Sequence, residues 1–159
     1  MSATPTYEMH PVAWVRGGRA EPRDDAWDAE QAWVVLDETM DAETLRGLDA
    51  FSHVEIVFVF DRVDPERVET VARRPRNNPA WPRVGVFAQR GKSRPNRIGV
   101  TRCGLEEIDL TNRRIRVRGL DAVDGTPVLD IKPHMPAFDA RGEVRQPDWA
   151  AELMAGYWT

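Results

Sequence analysis

The segment His53-Val54-Glu55-Ile56-Val57-Phe58-Val59-Phe60 limits the fold more than any other stretch of the chain. β-Branched and aromatic residues fill most of its positions, which suits a pleated strand and suits a helix poorly. The run predicts a central strand covered on both faces. Val12–Val15, Ala32–Leu36, Val84–Ala88, Ile98–Leu110, Ile115–Leu120 and Pro127–Ile131 read as further strands. Ile98–Leu110 and Ile115–Leu120 form an expected hairpin about Thr111-Asn112-Arg113, with Ile115 and Val117 inward and Arg116 and Arg118 outward. Gly17–Asp28 and the proline-punctuated Arg73–Arg83 read as irregular. Helical signals are few. They are Asp41–Leu48 behind Asp41 as N-cap, Pro65–Ala72, and Pro147–Tyr157, where Trp149, Leu153 and Tyr157 recur at four-residue spacing. Many strands and few helices predict a mainly β fold, a small β-barrel with peripheral short helices. No internal repeat or linker divides the 159 residues, so one domain over 1–159 with a helical extension over 147–157 is expected.

Six tryptophans argue against disorder. Cys103 is the single cysteine, which excludes an internal disulfide and a cysteine-based zinc cluster. A lone cysteine is ordinarily a small buried hydrophobe; a nucleophile is the alternative. His10, His53 and His134 have no co-ligand spacing, so no metal is expected. No apolar run approaches the roughly 20 residues of a membrane span. MSATPTYEMHP lacks the basic and apolar regions of a secretory signal, and a soluble cytoplasmic protein is the expectation.

The net charge of −4 speaks against a general nucleic-acid binder, but the charge is unevenly spread. Glu21 to Glu69 holds fifteen acidic residues against four basic ones. Thr70 to Leu105 holds nine basic residues and no Asp or Glu, a local field that attracts phosphates. The plainer alternative is that Arg73, Arg74 and Arg76 pair with the acidic half.

The glycine fingerprint of dinucleotide sites, the phosphate-binding P-loop and the zinc-protease helix motif are all missing. Two segments remain. Gly85–Gly99 runs from a strand into a loop dense in Gly, Pro, Asn and cations, then into another strand. Gly91 and Gly99 allow close backbone approach or positive φ, Pro95 stiffens the loop, and Arg90 and Arg94 can hold carboxylate or phosphate in bidentate fashion. It is a preorganised anion cradle or a solvated polar loop. Leu120–His134 carries three aspartates around an Asp124-Gly125-Thr126-Pro127 turn. These could serve ribose hydroxyls, a cationic ligand or proton transfer; alternatively Asp124 caps the turn and Asp130 pairs with Lys132 or an arginine of the basic loop.

R-P-N-x-I-G over Arg94–Gly99, followed by D-G-T-P-V-L-D-I-K-P over Asp124–Pro133, closely resembles the TsaA-like, TrmO family. Its members are S-adenosylmethionine-dependent methyltransferases acting on threonylcarbamoyladenosine in the tRNA anticodon loop. The resemblance takes in Gly47–His53 and Phe58-Val59-Phe60 and runs from Pro11 to Pro136. It implies a β-barrel methyltransferase unlike the Rossmann type, usually dimeric with the cofactor near the subunit interface. Cofactor contacts would then fall on Pro22, Arg23, Asp61, Arg62, Arg90, Leu120, Asp121, Ala122, Val123, Asp124 and Gly125. Asp61, Arg97 and His134 stand where the family commonly has His, Pro and Tyr, which implies a divergent subgroup.

The expected activity is N6-methylation of the modified adenosine, with a homodimer and tRNA as partners. A weakly nucleophilic acceptor nitrogen needs a proton acceptor, for which Asp121, Asp124, Asp130 and His134 are unranked candidates. Lys92, Arg94 and Arg97 would hold the tRNA phosphates, and Trp81 would stack on a base or pack internally. The alternatives are a methyltransferase of the same fold acting on a small molecule or another RNA, and a non-catalytic RNA- or nucleotide-binding module.

Overall fold

A computed structural model of the chain describes residues 2–159. Six antiparallel strands close into a barrel: β1 (Ala13–Arg16), β2 (Gln31–Leu36), β3 (His53–Val59), β6 (Ile98–Asp109), β7 (Arg114–Arg118) and β8 (Pro127–Pro133). Around the wall the order is β1-β2-β7-β6-β3-β8, and β8 returns to β1. An even number of strands lets every neighbouring pair run antiparallel. A two-residue ladder between β4 (Ala72–Arg73) and β5 (Val84–Gly85) stands apart from the barrel.

Side chains alternate across the wall, as the two-residue strand period requires. Val54, Ile56 and Phe58 of β3 meet Ala13, Val15, Val34, Ile115, Val117 and Val128 inside. The expected inward placement of Ile115 and Val117 holds. β3 is central, paired with β6 on one side and β8 on the other. It is not covered on both faces, however: Glu55, Val57 and Val59 look outward and are only half-buried. Barrel curvature gives a strand one enclosed face, whatever the hydrophobicity of its outward residues.

The helical expectations shrink. Asp41 accepts a hydrogen bond from the Glu43 amide at 2.8 Å and caps a 3₁₀ turn over Ala42–Leu45. The chain then turns extended at Arg46, and Gly47 takes a left-handed φ of 86°, which starts a second short turn over Leu48–Ala50 instead of continuing a helix. Pro65–Arg67 forms one 3₁₀ turn, while Ala72 is recruited into β4. Of the expected C-terminal helix, Asp148–Met154 is helical and is labelled α1. Trp149 and Leu153 are half-buried on α1, as is Ala150, and Tyr157 is half-buried beyond its end.

The connectivity sorts the loops. β1 ends beside the start of β8, and β3 ends there too, because Trp14 pairs with Pro127 and Phe58 with Val128. The loops 17–30, 60–97 and 119–126 therefore share one rim, called here the mouth. The loops 37–52 and 110–113 and the chain beyond β8 share the other.

Candidate active site

The mouth is braced from within. Arg19 donates through Nε to Glu30 Oε1 at 2.8 Å, binds the carbonyls of Arg23 and Ala26, and lies 3.9 Å over the Trp27 ring. These contacts fold the loop 17–30 on itself. Asp124 fastens it to the next loop: its Oδ1 accepts from the Gly17 amide at 2.9 Å, and its own amide donates to the Arg19 carbonyl at 2.8 Å. Arg62, just past β3, donates to the carbonyls of Ala20 at 2.8 Å and Asp124 at 3.2 Å. Three loops distant in sequence are thus joined through backbone acceptors.

The glycine-rich basic loop is equally built. Asn96 and Arg97 adopt left-handed φ of 62° and 51°, and Pro95 opens the turn that holds them. Arg94 donates to the Gln89 carbonyl at 2.7 Å and Arg97 to the Val63 carbonyl at 2.8 Å. Both are half-buried, so these guanidinium groups hold the loop's shape. Lys92 is exposed at the same loop. Gly99 is needed for space: a Cβ there would lie 2.5 Å from Phe58 Cζ and 2.9 Å from Phe60 Cζ. Gly91 has no such constraint.

Arg90 and Asp121 are both anchored on β6, at adjacent residues. Arg90 donates to the Val100 carbonyl at 2.9 Å and makes no ion pair among the described residues. The next residue, Thr101, points into the barrel and donates its hydroxyl to Asp121 Oδ1. Asp121 Oδ2 accepts from the Tyr157 hydroxyl. Burial, then the Asp121 charge, push the Tyr157 phenol well above its ordinary value, with Arg90 opposing, so Tyr157 stays protonated and donates. Cys103, inward on the same strand, is pushed up to about 12 by burial and then by Asp121. It packs in the core as a thiol, which removes the nucleophile alternative.

The remaining residues sort by position. Pro22, Arg23 and Asp61 lie exposed at the mouth, and Leu120, Ala122, Val123 and Gly125 form its β7–β8 turn, with Leu120 and Ala122 buried in the core. Asp130 and His134 do not join them. β8 climbs away from the mouth at roughly 3.3 Å per residue, and a bulge opposite Val57/Phe58 leaves Asp130 paired with Val57 on the outer face. Asp130 binds Lys132 at 2.7 Å. His134 sits beyond the far end of β8, 3.2 Å from Asp139 and 3.6 Å from Glu55. Within one chain these two side chains face another region. A groove of about 400 Å³ near them is lined mainly by apolar residues, including Leu36, Leu48 and Phe51.

Of the early arginines, Arg76 pairs with Asp25 at 2.9 Å, as the plainer alternative expects, and Arg74 binds the carbonyls of Pro79 and Trp81. Trp81 donates to Glu152 of α1 at 2.7 Å and is engaged internally. Sequence reasoning missed Thr101 and Tyr157. Thr101 carried a signal, since strand alternation from Gly99 points it inward; Tyr157 read only as a packing residue.

Among the described residues no helix is long and apolar enough to cross a membrane, and no group of three or more His, Cys, Asp or Glu could hold a metal.

The chain is similar to known proteins in sequence and in fold. A tRNA (adenine(37)-N6)-methyltransferase of Escherichia coli K12 is 38% identical over 122 residues, 73% of this chain and 52% of that protein. The human protein of the same name is 40% identical over 104 residues, 65% of this chain and 23% of its own. A candidate S-adenosylmethionine-dependent methyltransferase, RcsF of Pseudomonas aeruginosa, is 40% identical over 105 residues, 65% of this chain and 43% of that one. A crystal structure of TrmO superposes with a TM-score of 0.71 at 32% identity, covering 89% of this chain and 64% of that one. TrmO from Pseudomonas aeruginosa superposes at 0.69 and 31% identity, covering 89% and 62%. The chain thus spans less than two thirds of each relative's length. The family model for the tRNA-methyltransferase O N-terminal domain matches residues 17–140, and the chain belongs to the TrmO family.

Proposed function

We propose that this chain is an S-adenosylmethionine-dependent methyltransferase that methylates N6 of the modified adenosine at position 37 of tRNA. The carrying observation is that Arg90, with no ion pair of its own among the described residues, and the Asp121 carboxylate are bonded to adjacent residues of β6, Val100 and Thr101. A cation and an anion anchored on neighbouring residues of one strand suit the carboxylate and ammonium of an amino acid moiety. S-adenosylmethionine carries such a moiety and supplies an electrophilic methyl group. The names of the E. coli and human relatives support the tRNA substrate, and that of the P. aeruginosa RcsF relative supports the methyl donor.

In this reading Arg90 binds the donor's carboxylate and Asp121 its ammonium. The remaining surface of the site is the Leu120–Gly125 turn with Pro22, Arg23 and Arg62. Keeping the carboxylates at the amino acid end matters, because negative charge against the sulfonium would stabilise the ground state and slow transfer. An acceptor nitrogen that gains a methyl must shed a proton. At this rim Asp124 is tied to Gly17 through one oxygen, and in this reading the exposed Asp61 is the carboxylate assigned to take it. Lys92 meets the anticodon-stem phosphates, while Arg94 and Arg97 serve chiefly by shaping the loop. The target base is in a single-stranded loop, so little unpairing is needed.

The same reading includes a homodimer in the cytoplasm and residues 1–159 acting as one unit. Phe87 and Val71, 81% and 66% exposed beside the β4–β5 ladder, offer apolar surface for a second copy.

Calorimetry with S-adenosylmethionine on the wild type and on Arg90→Ala tests the site, and mass analysis of tRNA nucleosides with and without the protein tests the acceptor. Binding by the wild type, at least about ten-fold weaker in the variant for one lost charge-assisted contact, is expected. Unchanged affinity in Arg90→Ala refutes the site. Salt-sensitive RNA binding without cofactor binding would instead identify an RNA-binding module.

A further inference from the structure

The last residues of the chain lie across the mouth. Ala26, Trp27 and Asp28 donate backbone hydrogen bonds to the carbonyls of Gly156, Tyr157 and Trp158 at 3.1, 3.0 and 2.8 Å. Trp81 reaches Glu152 from the β4–β5 excursion. The strap therefore docks on two separate loops before Tyr157 reaches Asp121. Its ring is steadied by Trp158, edge-on at a centroid distance of 4.9 Å.

Resting on the methyltransferase reading, we infer that Tyr157 is a positioning residue of the cofactor site: its hydroxyl, opposite that of Thr101, fixes the Asp121 carboxylate in the orientation that receives the donor's ammonium. A carboxylate on a short side chain can swing about its χ angles, and one donor on each oxygen leaves it a single orientation. Each oxygen keeps acceptor capacity for a further donor. The phenol is suited to this work because it remains a donor throughout the neutral range. Preorganisation of this kind lowers the cost of ordering the site when a ligand binds.

The test is a double-mutant cycle on the Kd for S-adenosylmethionine with Tyr157→Phe, Asp121→Asn and the double variant. Phenylalanine keeps the ring and its packing and removes only the hydroxyl. The expected result is a Kd raised about ten-fold in Tyr157→Phe, with the double variant no worse than Asp121→Asn alone. A purely architectural role for Tyr157 would lower thermal stability without this coupling in Kd. Glu152→Gln removes the strap's charge but keeps an acceptor for the Trp81 indole, and is expected to leave Kd unchanged. Wild-type affinity in Tyr157→Phe, multiplicative losses in the double variant, or an equal loss in Glu152→Gln would each overturn the inference. A wild type that fails to bind S-adenosylmethionine would overturn the methyltransferase reading itself, a result distinguishable from the other three.

Discussion

Gly99→Ala is the sharpest probe of how the barrel carries its site. The added Cβ would lie 2.5 and 2.6 Å from Phe58 Cζ and Cε2 and 2.9 Å from Phe60 Cζ. Ordinary contact would need each ring to retreat by roughly 1 Å in a close-packed interior. Phe58 is 1% exposed and held edge-to-face against the partly buried Phe60 at 5.2 Å, so the Phe58 ring has no open space to move into. Overpacking of this kind costs about 1–3 kcal/mol. Alanine returns roughly 0.5–1 kcal/mol of backbone entropy relative to glycine. With the middle of each range the net loss is about 1 kcal/mol, and for a chain of this size it lowers the melting temperature by about 2–4 °C. Thermal unfolding followed by circular dichroism measures it. Phe58→Leu in the Gly99→Ala background removes the struck atoms, so the pair is expected to lose less than the sum of its single losses. Full additivity, or an unchanged melting temperature in Gly99→Ala, would refute the argument that Phe58 and Phe60 require glycine at the head of β6.

Two ionisable groups give further tests. Cys103 is expected to resist alkylation by iodoacetamide at pH 9 in the native protein and to react once unfolded in urea, because its folded thiol sits at about 12. The same shift means that the unfolded thiol ionises first, near ~8.5; stability therefore falls as pH rises from there toward 12. Rapid native labelling would contradict this. Asp37 is held down to about 2, chiefly by the Thr39 hydroxyl and then by the Trp14 indole. Its folded value lies below the unfolded ~3.9, so its stabilisation is present above that value and is lost as pH falls toward 2. An NMR titration of its carboxyl with a midpoint near 4 would show that these bonds do not hold.

Much of the barrel was legible because the two-residue period survives in strands with one enclosed face. β7 is the clean case, with Ile115 and Val117 inside and three arginines between and around them. β3 misled on its outer face, where Val57 and Val59 are apolar but only half-buried; composition does not report curvature. Asp41–Leu48 has helix formers and a true cap, yet Gly47 in the left-handed region outweighs propensity. Among the candidate site residues, Arg90 and Asp121 stand out from the motifs that flank them. Asp130 and His134 were not separable from Asp121 by sequence, since only the direction of β8 and its bulge send them away. The contributions of Thr101 and Tyr157 depend on contacts across 20 and 36 residues, which local pattern does not encode.

Arg62 has a wider consequence than its place beside the candidate site suggests. One planar cation clasps the carbonyls of Ala20 and Asp124 from a chain position just beyond β3. Because the acceptors are main-chain oxygens, the clasp is indifferent to which side chains its neighbours carry. The rim can therefore change its chemistry residue by residue while its outline stays put, as an arch keeps its span when facing stones are replaced around an intact keystone.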